Sequence, residues 1–169
     1  MSDSSVSESM TNFDMVKEFN RQFGVLTYDT PQPNIFENKK LVDLRLNLIL
    51  EEVNELKEAI VTRDFTETVD AIADILYVVY GMANSFGIDA DKALDIVHKS
   101  NMSKLCVNEA EAIETVNWYK TTQTLYDSPD YRQSEDGKYW VVYNKSSGKI
   151  LKNIHYTPAN FSTIYNIYL

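Results

Sequence analysis

KKLVDLRLNLILEEVNELKEAIVTRDFTETVDAIADILYVVYGMANSFGI, residues 39–88, decides the fold of this 169-residue chain. The stretch from Lys39 to Arg63 contains neither glycine nor proline and reads as one long helix. A second helix is predicted from Thr66 to Phe86, ending near Gly87. At about 100° per residue, Leu46, Ile49, Leu50, Val53, Leu56 and Ile60 share one broad face of the first helix, the expected core stripe. Leu41, Leu44, Leu48 and Ala59 lie nearly opposite, with Glu51, Glu55 and Glu58 between them and Glu52 at the margin. Leucines among glutamates predict a helix buried on two sides, with carboxylates pointing into one of them.

The second helix sharpens the expectation. Between Val69 and Ala83 its only charged residues are Asp70 and Asp74, spaced i,i+4, while Ile72, Ile75, Leu76, Val79 and Ala83 occupy the other side. Aspartate is a poor interior helix former, and charges are rarely buried without a partner. Two like charges about 5 Å apart repel by about 3 kcal/mol at an effective dielectric of 20. A buried cluster of four or more carboxylates therefore needs protonation, neighbouring Lys or Arg, or cations. Oxygen-only clusters suit a hard divalent ion, magnesium (Mg2+) or manganese (Mn2+). The plainer readings are a solvated glutamate face and aspartates bonded to Arg45, Arg63 or lysines.

Outward from this pair, Asp89 is placed to cap a third helix over 90–104, and residues 108–120 are amphipathic. Thr11 opens a short helix, with Phe13, Val16, Phe19 and Phe23 on its apolar side and Gly24 at its end. Pro31 and Pro33 make the following segment an extended connector. Tyr139–Tyr143 and Lys149–Ile154 are β-prone runs flanking residues 144–148, a loop with hairpin chemistry. The expected organisation is a disordered tail over 1–10, a helical catalytic domain over 11–125, and an aromatic-rich β-hairpin extension over 126–169.

A net charge of −9 argues against binding a nucleic-acid polymer, which needs clustered Lys and Arg, but not against a nucleotide bridged by a metal ion. Cys106 is the only cysteine, so an internal disulfide is excluded and a reducing, cytoplasmic setting is expected. The N-terminal residues lack the pattern of a signal peptide, and the low-charge run 71–88 reads as a core helix, not a membrane span.

Glu51-Glu52-Val53-Asn54-Glu55 resembles the EExxE motif of the all-α nucleoside triphosphate pyrophosphohydrolases, the MazG-like and phosphoribosyl-ATP pyrophosphohydrolase-like family. Residues 70–81, DAIADILYVVYG, and the continuation from Ser85 through Asn101 to Lys104 are similar to that family's second motif helix and its sequel. The resemblance covers about residues 13–105. It implies a mainly α fold, an antiparallel helical bundle with the small hairpin appended, assembled as a homodimer or homotetramer. It also implies magnesium-dependent cleavage of a nucleotide substrate between its α and β phosphates. Glu52, Glu55, Asp74 and Asp70 then map onto metal ligands, Glu51 or Asp70 onto the general base, and Asn101 and Lys104 onto phosphate contacts. The family's second motif is ExxD: Asp74 matches its aspartate, Ala71 stands at the glutamate, and Asp70 is the expected substitute.

Two rivals have weaker support. A di-iron carboxylate bundle needs two Glu-x-x-His units, and the nearest match is Asp95-x-x-His98. A non-catalytic helical binding module rests on the missing ExxD glutamate.

Overall fold

The computed structural model describes residues 10–122 and 125–165. The expected tail over 1–10 therefore falls, Met10 apart, outside the described residues. The chain divides into two compact units: Met1–Ala93 with Ser162–Leu169, and Leu94–Phe161.

In the first unit, helix α1 spans Asn12–Gln22. Thr11 caps it by accepting from the Asp14 amide at 3.2 Å, and Asp14 and Arg21 sit at the ends that the helix dipole favours. A 3-10 turn, Pro33–Glu37, leads into α2, Lys39–Thr62, which the Asn38 carboxamide caps through the Leu41 amide. Helix α2 ends on Arg63 in the left-handed region, φ 59°. Asp64 then caps α3, Phe65–Phe86, by accepting from the Thr66 and Glu67 amides. So short a turn forces α2 and α3 into an antiparallel pair. Helix α3 stops at Gly87, φ +69°, where a Cβ would collide with the Thr30 carbonyl oxygen, so only glycine fits. Helix α4, Ala90–Met102, follows, and the division between units falls within it.

The expected core stripe is corrected by this structure. Within one chain α2 buries Arg45 and Ala59, and α3 buries Ala71, Gly81, Asn84, Ser85 and Phe86. The large apolar residues face solvent: Leu50 is 49% exposed, Ile60 60%, Ile72 48% and Leu76 54%. Small residues permit close approach of the two helices, which leaves the bulky stripes outside. Phe19 and Phe23 are likewise exposed, stacked on each other at 4.3 Å.

The second unit is built on α5, Glu109–Thr122, and a hairpin of β1, Pro129–Gln133, with β2, Trp140–Asn144. The strands pair antiparallel, Tyr131 opposite Val142. The turn expected across residues 144–148 is present in short form: the Gly148 amide donates to the Asn144 carbonyl, the Asn144 amide to the Lys149 carbonyl and the Leu151 amide to the Val142 carbonyl, with Ile150 bridging Tyr143. The longer pairing of β2 is with β1, which precedes it. The chain leaves the sheet after Leu151 because the Lys152 backbone bonds the Tyr119 hydroxyl and the Asn153 side chain donates to the Leu105 carbonyl. Cys106, Ala112, Val116, Tyr119, Val142 and Leu151 form the core, flanked by Tyr126, Tyr131 and Trp140. Among the described residues no single helix is long and apolar enough to cross a membrane.

Candidate active site

The α2–α3 pair has a fixed register. Arg45 touches Gly81, and two turns further along each helix Glu52 and Asp74 come within electrostatic reach of each other. Seven-residue spacing keeps both contacts on the same seam. The seam continues toward the Arg63–Asp64 turn as a groove of 420 Å3, where Glu55 and Glu58 of α2 face Glu67 and Asp70 of α3 over a floor containing Ala59 and Ala71.

The five expected carboxylates thus lie on facing stretches of two helices, but they are not enclosed. Glu51, Glu55 and Asp70 are exposed, and Glu52 and Asp74 are half-buried. The expectation of a buried cluster is corrected here, because among the described residues no layer covers the outer face of the pair. Among the described residues, no three His, Cys, Asp or Glu side chains converge on a point that could hold a metal ion.

Electrostatically the seam is uncompensated. The Glu52 carboxyl is pushed above its ordinary value, first by burial and then by Glu55, Asp74, Glu51 and Asp70. Among the described residues none of these carboxylates is ion-paired. Arg45 does not relieve them: its Nε donates to Ser85 Oγ at 3.0 Å, and burial pushes the guanidinium down. Arg63 closes the helix with its backbone amide, and among the described residues its side chain makes no ion pair. The alternative of aspartates paired with Arg45 or Arg63 is therefore not realised. An all-oxygen donor set carrying excess negative charge fits a hard divalent cation in its chemistry, although the side chains are not gathered around one point.

Two residues of the groove were absent from the expected site. Glu58 follows Glu55 by one turn, and Glu67 stands three residues before Asp70. Glu67-Thr68-Val69-Asp70 spells ExxD one turn ahead of the place where that pattern was sought, and both its carboxylates line the groove.

Asn101 and Lys104 belong to the second unit, where Lys104 Nζ donates to Asn101 Oδ1 at 2.7 Å. His98 is exposed on α4.

A pair of antiparallel helices carrying EExxE on one and ExxD on the other, with the carboxylates facing across the seam, is the arrangement of an all-α pyrophosphohydrolase. Residues 16–101, half of the chain, match the model of the phosphoribosyl-ATP pyrophosphohydrolase family, and the chain belongs to that family. It is also similar to an uncharacterized protein of Acanthamoeba polyphaga mimivirus, 33% identical over 97% of this chain and 99% of the relative.

Proposed function

We propose that this chain hydrolyses a nucleoside triphosphate between the α and β phosphates, releasing a nucleoside monophosphate and pyrophosphate, with magnesium or manganese as cofactor. The observation that carries the reading is the seam itself: carboxylates of EExxE and ExxD face each other with no ion-paired cation among the described residues. Glu52, Glu55, Asp70 and Asp74 are the proposed ligands, with Glu67 added by the groove. When bound, the metal would neutralise phosphate charge and lower the pKa of a water molecule. Glu51 or Asp70 accepts the proton of the attacking water. Asn101 and Lys104, already bonded to each other, are proposed to hold the phosphates.

The proposed assembly is a homodimer or homotetramer through α2 and α3. Leu46, Leu50, Val53, Ile72, Leu76 and Val79 are each between 41% and 54% exposed, more apolar surface than a monomer normally leaves open on two adjacent helices. A second copy on this face would also desolvate Glu52 and Asp74. The proposed setting is the cytoplasm, with nucleotide and no nucleic-acid polymer or membrane as partner.

The test is a panel of nucleoside triphosphates, dUTP and phosphoribosyl-ATP included, incubated with the full chain and magnesium. Release of pyrophosphate with the matching monophosphate is expected for at least one. Folded protein releasing none from any member would reverse the reading toward a binding module, for which Ala71 at the family's ExxD glutamate position speaks.

A further inference from the structure

The second unit contains a cavity of 600 Å3 that the proposed hydrolysis does not use. It lies between one stripe of α5 and the segment that follows the hairpin. Glu114, Asn117 and Trp118 contribute from α5, spaced by one helical turn, and Lys152 and Tyr156 from the far side, with Tyr119 beneath. The volume is in the range that holds a small organic ligand.

The walls are fixed by hydrogen bonds, and the ligand-facing charged groups have no ion-pair partner among the described residues. The Tyr119 hydroxyl donates to the Lys152 carbonyl at 3.0 Å and accepts from its amide at 3.2 Å, which locks the two sides together. Tyr156 shares a hydrogen bond with Ser100 Oγ, at 3.0 Å. Against this frame Trp118 is 42% exposed, its ring set edge-to-face with Tyr119 at 4.9 Å. Lys152 Nζ lies over the Tyr156 ring, 4.4 Å from its centre, and among the described residues no carboxylate is in ion-pair range of it. The Glu114 carboxylate and Asn117 carboxamide make no hydrogen bond among the described residues, so an acceptor and a mixed donor-acceptor line the same wall as the indole.

An open indole stacks a planar ring, an unpaired lysine takes an anion, and a carboxylate beside the ring accepts from an amino group. We propose that this cavity binds a nucleoside monophosphate whose base carries an exocyclic amino group. The base stacks on Trp118, its amino group donates to Glu114, and the phosphate lies against Lys152. Binding here needs no metal, so it stands apart from the hydrolysis proposed above.

The experiment is calorimetric titration of the full chain with AMP, GMP, CMP and UMP in buffer containing EDTA, which silences any metal-dependent site. The amino-bearing monophosphates are expected to bind, with UMP weaker by about tenfold. Trp118→Ala and Lys152→Met should each weaken AMP binding by about tenfold or more, and Glu114→Gln should narrow the gap between AMP and UMP. Asp74→Asn should leave AMP binding unchanged. Both Trp118 and Lys152 are exposed, so their variants should fold, which circular dichroism checks. No binding of any of the four up to about 10 mM would overturn the proposal, as would AMP affinity unaltered in Trp118→Ala or equal affinity for UMP. Loss of AMP binding in Asp74→Asn would relocate the nucleotide to the carboxylate seam and overturn it equally.

Discussion

The Arg45 guanidinium packs so closely over Gly81 that a Cβ on residue 81 would stand 3.1 Å from Nη1. Arg45 is 6% exposed and held by Ser85, so it has little room to retreat. Gly81→Ala gains about 1 kcal/mol of helix propensity, yet overpacking costs about 1–3 kcal/mol. Net destabilisation is expected in urea unfolding. In an Arg45→Met background the sign should reverse, because the obstructing guanidinium is gone.

Glu55→Gln and Asp74→Asn should each lower magnesium-dependent turnover by about 100-fold or more while the helical circular dichroism spectrum is retained. The wild-type chain should gain about 2.7 kcal/mol of stability at a magnesium concentration 100 times its dissociation constant. Asp74→Asn should gain far less. Thermal unfolding with and without magnesium reads the difference.

Glu52 sets a pH dependence for the metal-free chain. Its carboxyl is raised on folding, so the native state holds the proton more tightly than the unfolded state. Stability is present below the ordinary glutamate value and is lost as pH rises through the raised one. Glu52→Gln should flatten that loss, measured as the urea midpoint from pH 4 to pH 8.

Asp127 works in the opposite direction. Hydrogen bonds from the Ser146 hydroxyl, the Asn144 amide and the Ser128 hydroxyl pull its carboxyl from 3.8 down to about 2. Its stabilising contribution is present above the ordinary value and is lost as pH falls from 3.8 toward about 2. Asp127→Ala should lower second-unit stability at neutral pH, with the difference from wild type vanishing in acid; hydrogen exchange of the β2 amides is the measurement.

Sedimentation velocity should show the wild-type chain as a dimer or larger. Leu76→Glu places a charge in the middle of the exposed α3 stripe and should yield monomer with loss of turnover. A monomeric wild type would remove the assembly proposal.

The helices were legible to within about two residues at most of their ends because their punctuation is local. Thr11, Asn38 and Asp64 cap through their own side chains, and Gly87 is the residue that its site admits. Strand β1 was not legible. PDYRQ opens on proline and has no β-branched residue, so its conformation comes from pairing with β2. The helical wheels found two faces on each long helix but could not say which meets its neighbour in one chain. Ala59, Ala71 and Gly81 won that contact through small size, a property that a hydrophobic stripe does not register. Among the candidate site residues, helical spacing on two neighbouring helices already brings Glu52 and Asp74 toward each other, whereas Glu67 enters only through the groove that the folded pair forms.

Cys106 gives the chain a stopwatch. It is 0% exposed, its amide and carbonyl both bond to Trp140, and burial pushes its thiol up. An alkylating reagent must wait until the second unit opens, so the rate of labelling counts those openings one by one. The chain has no other cysteine, and the first unit contributes no signal. Mass spectrometry of the alkylated chain can time the loosening of α5 and its hairpin under any condition, with no label introduced.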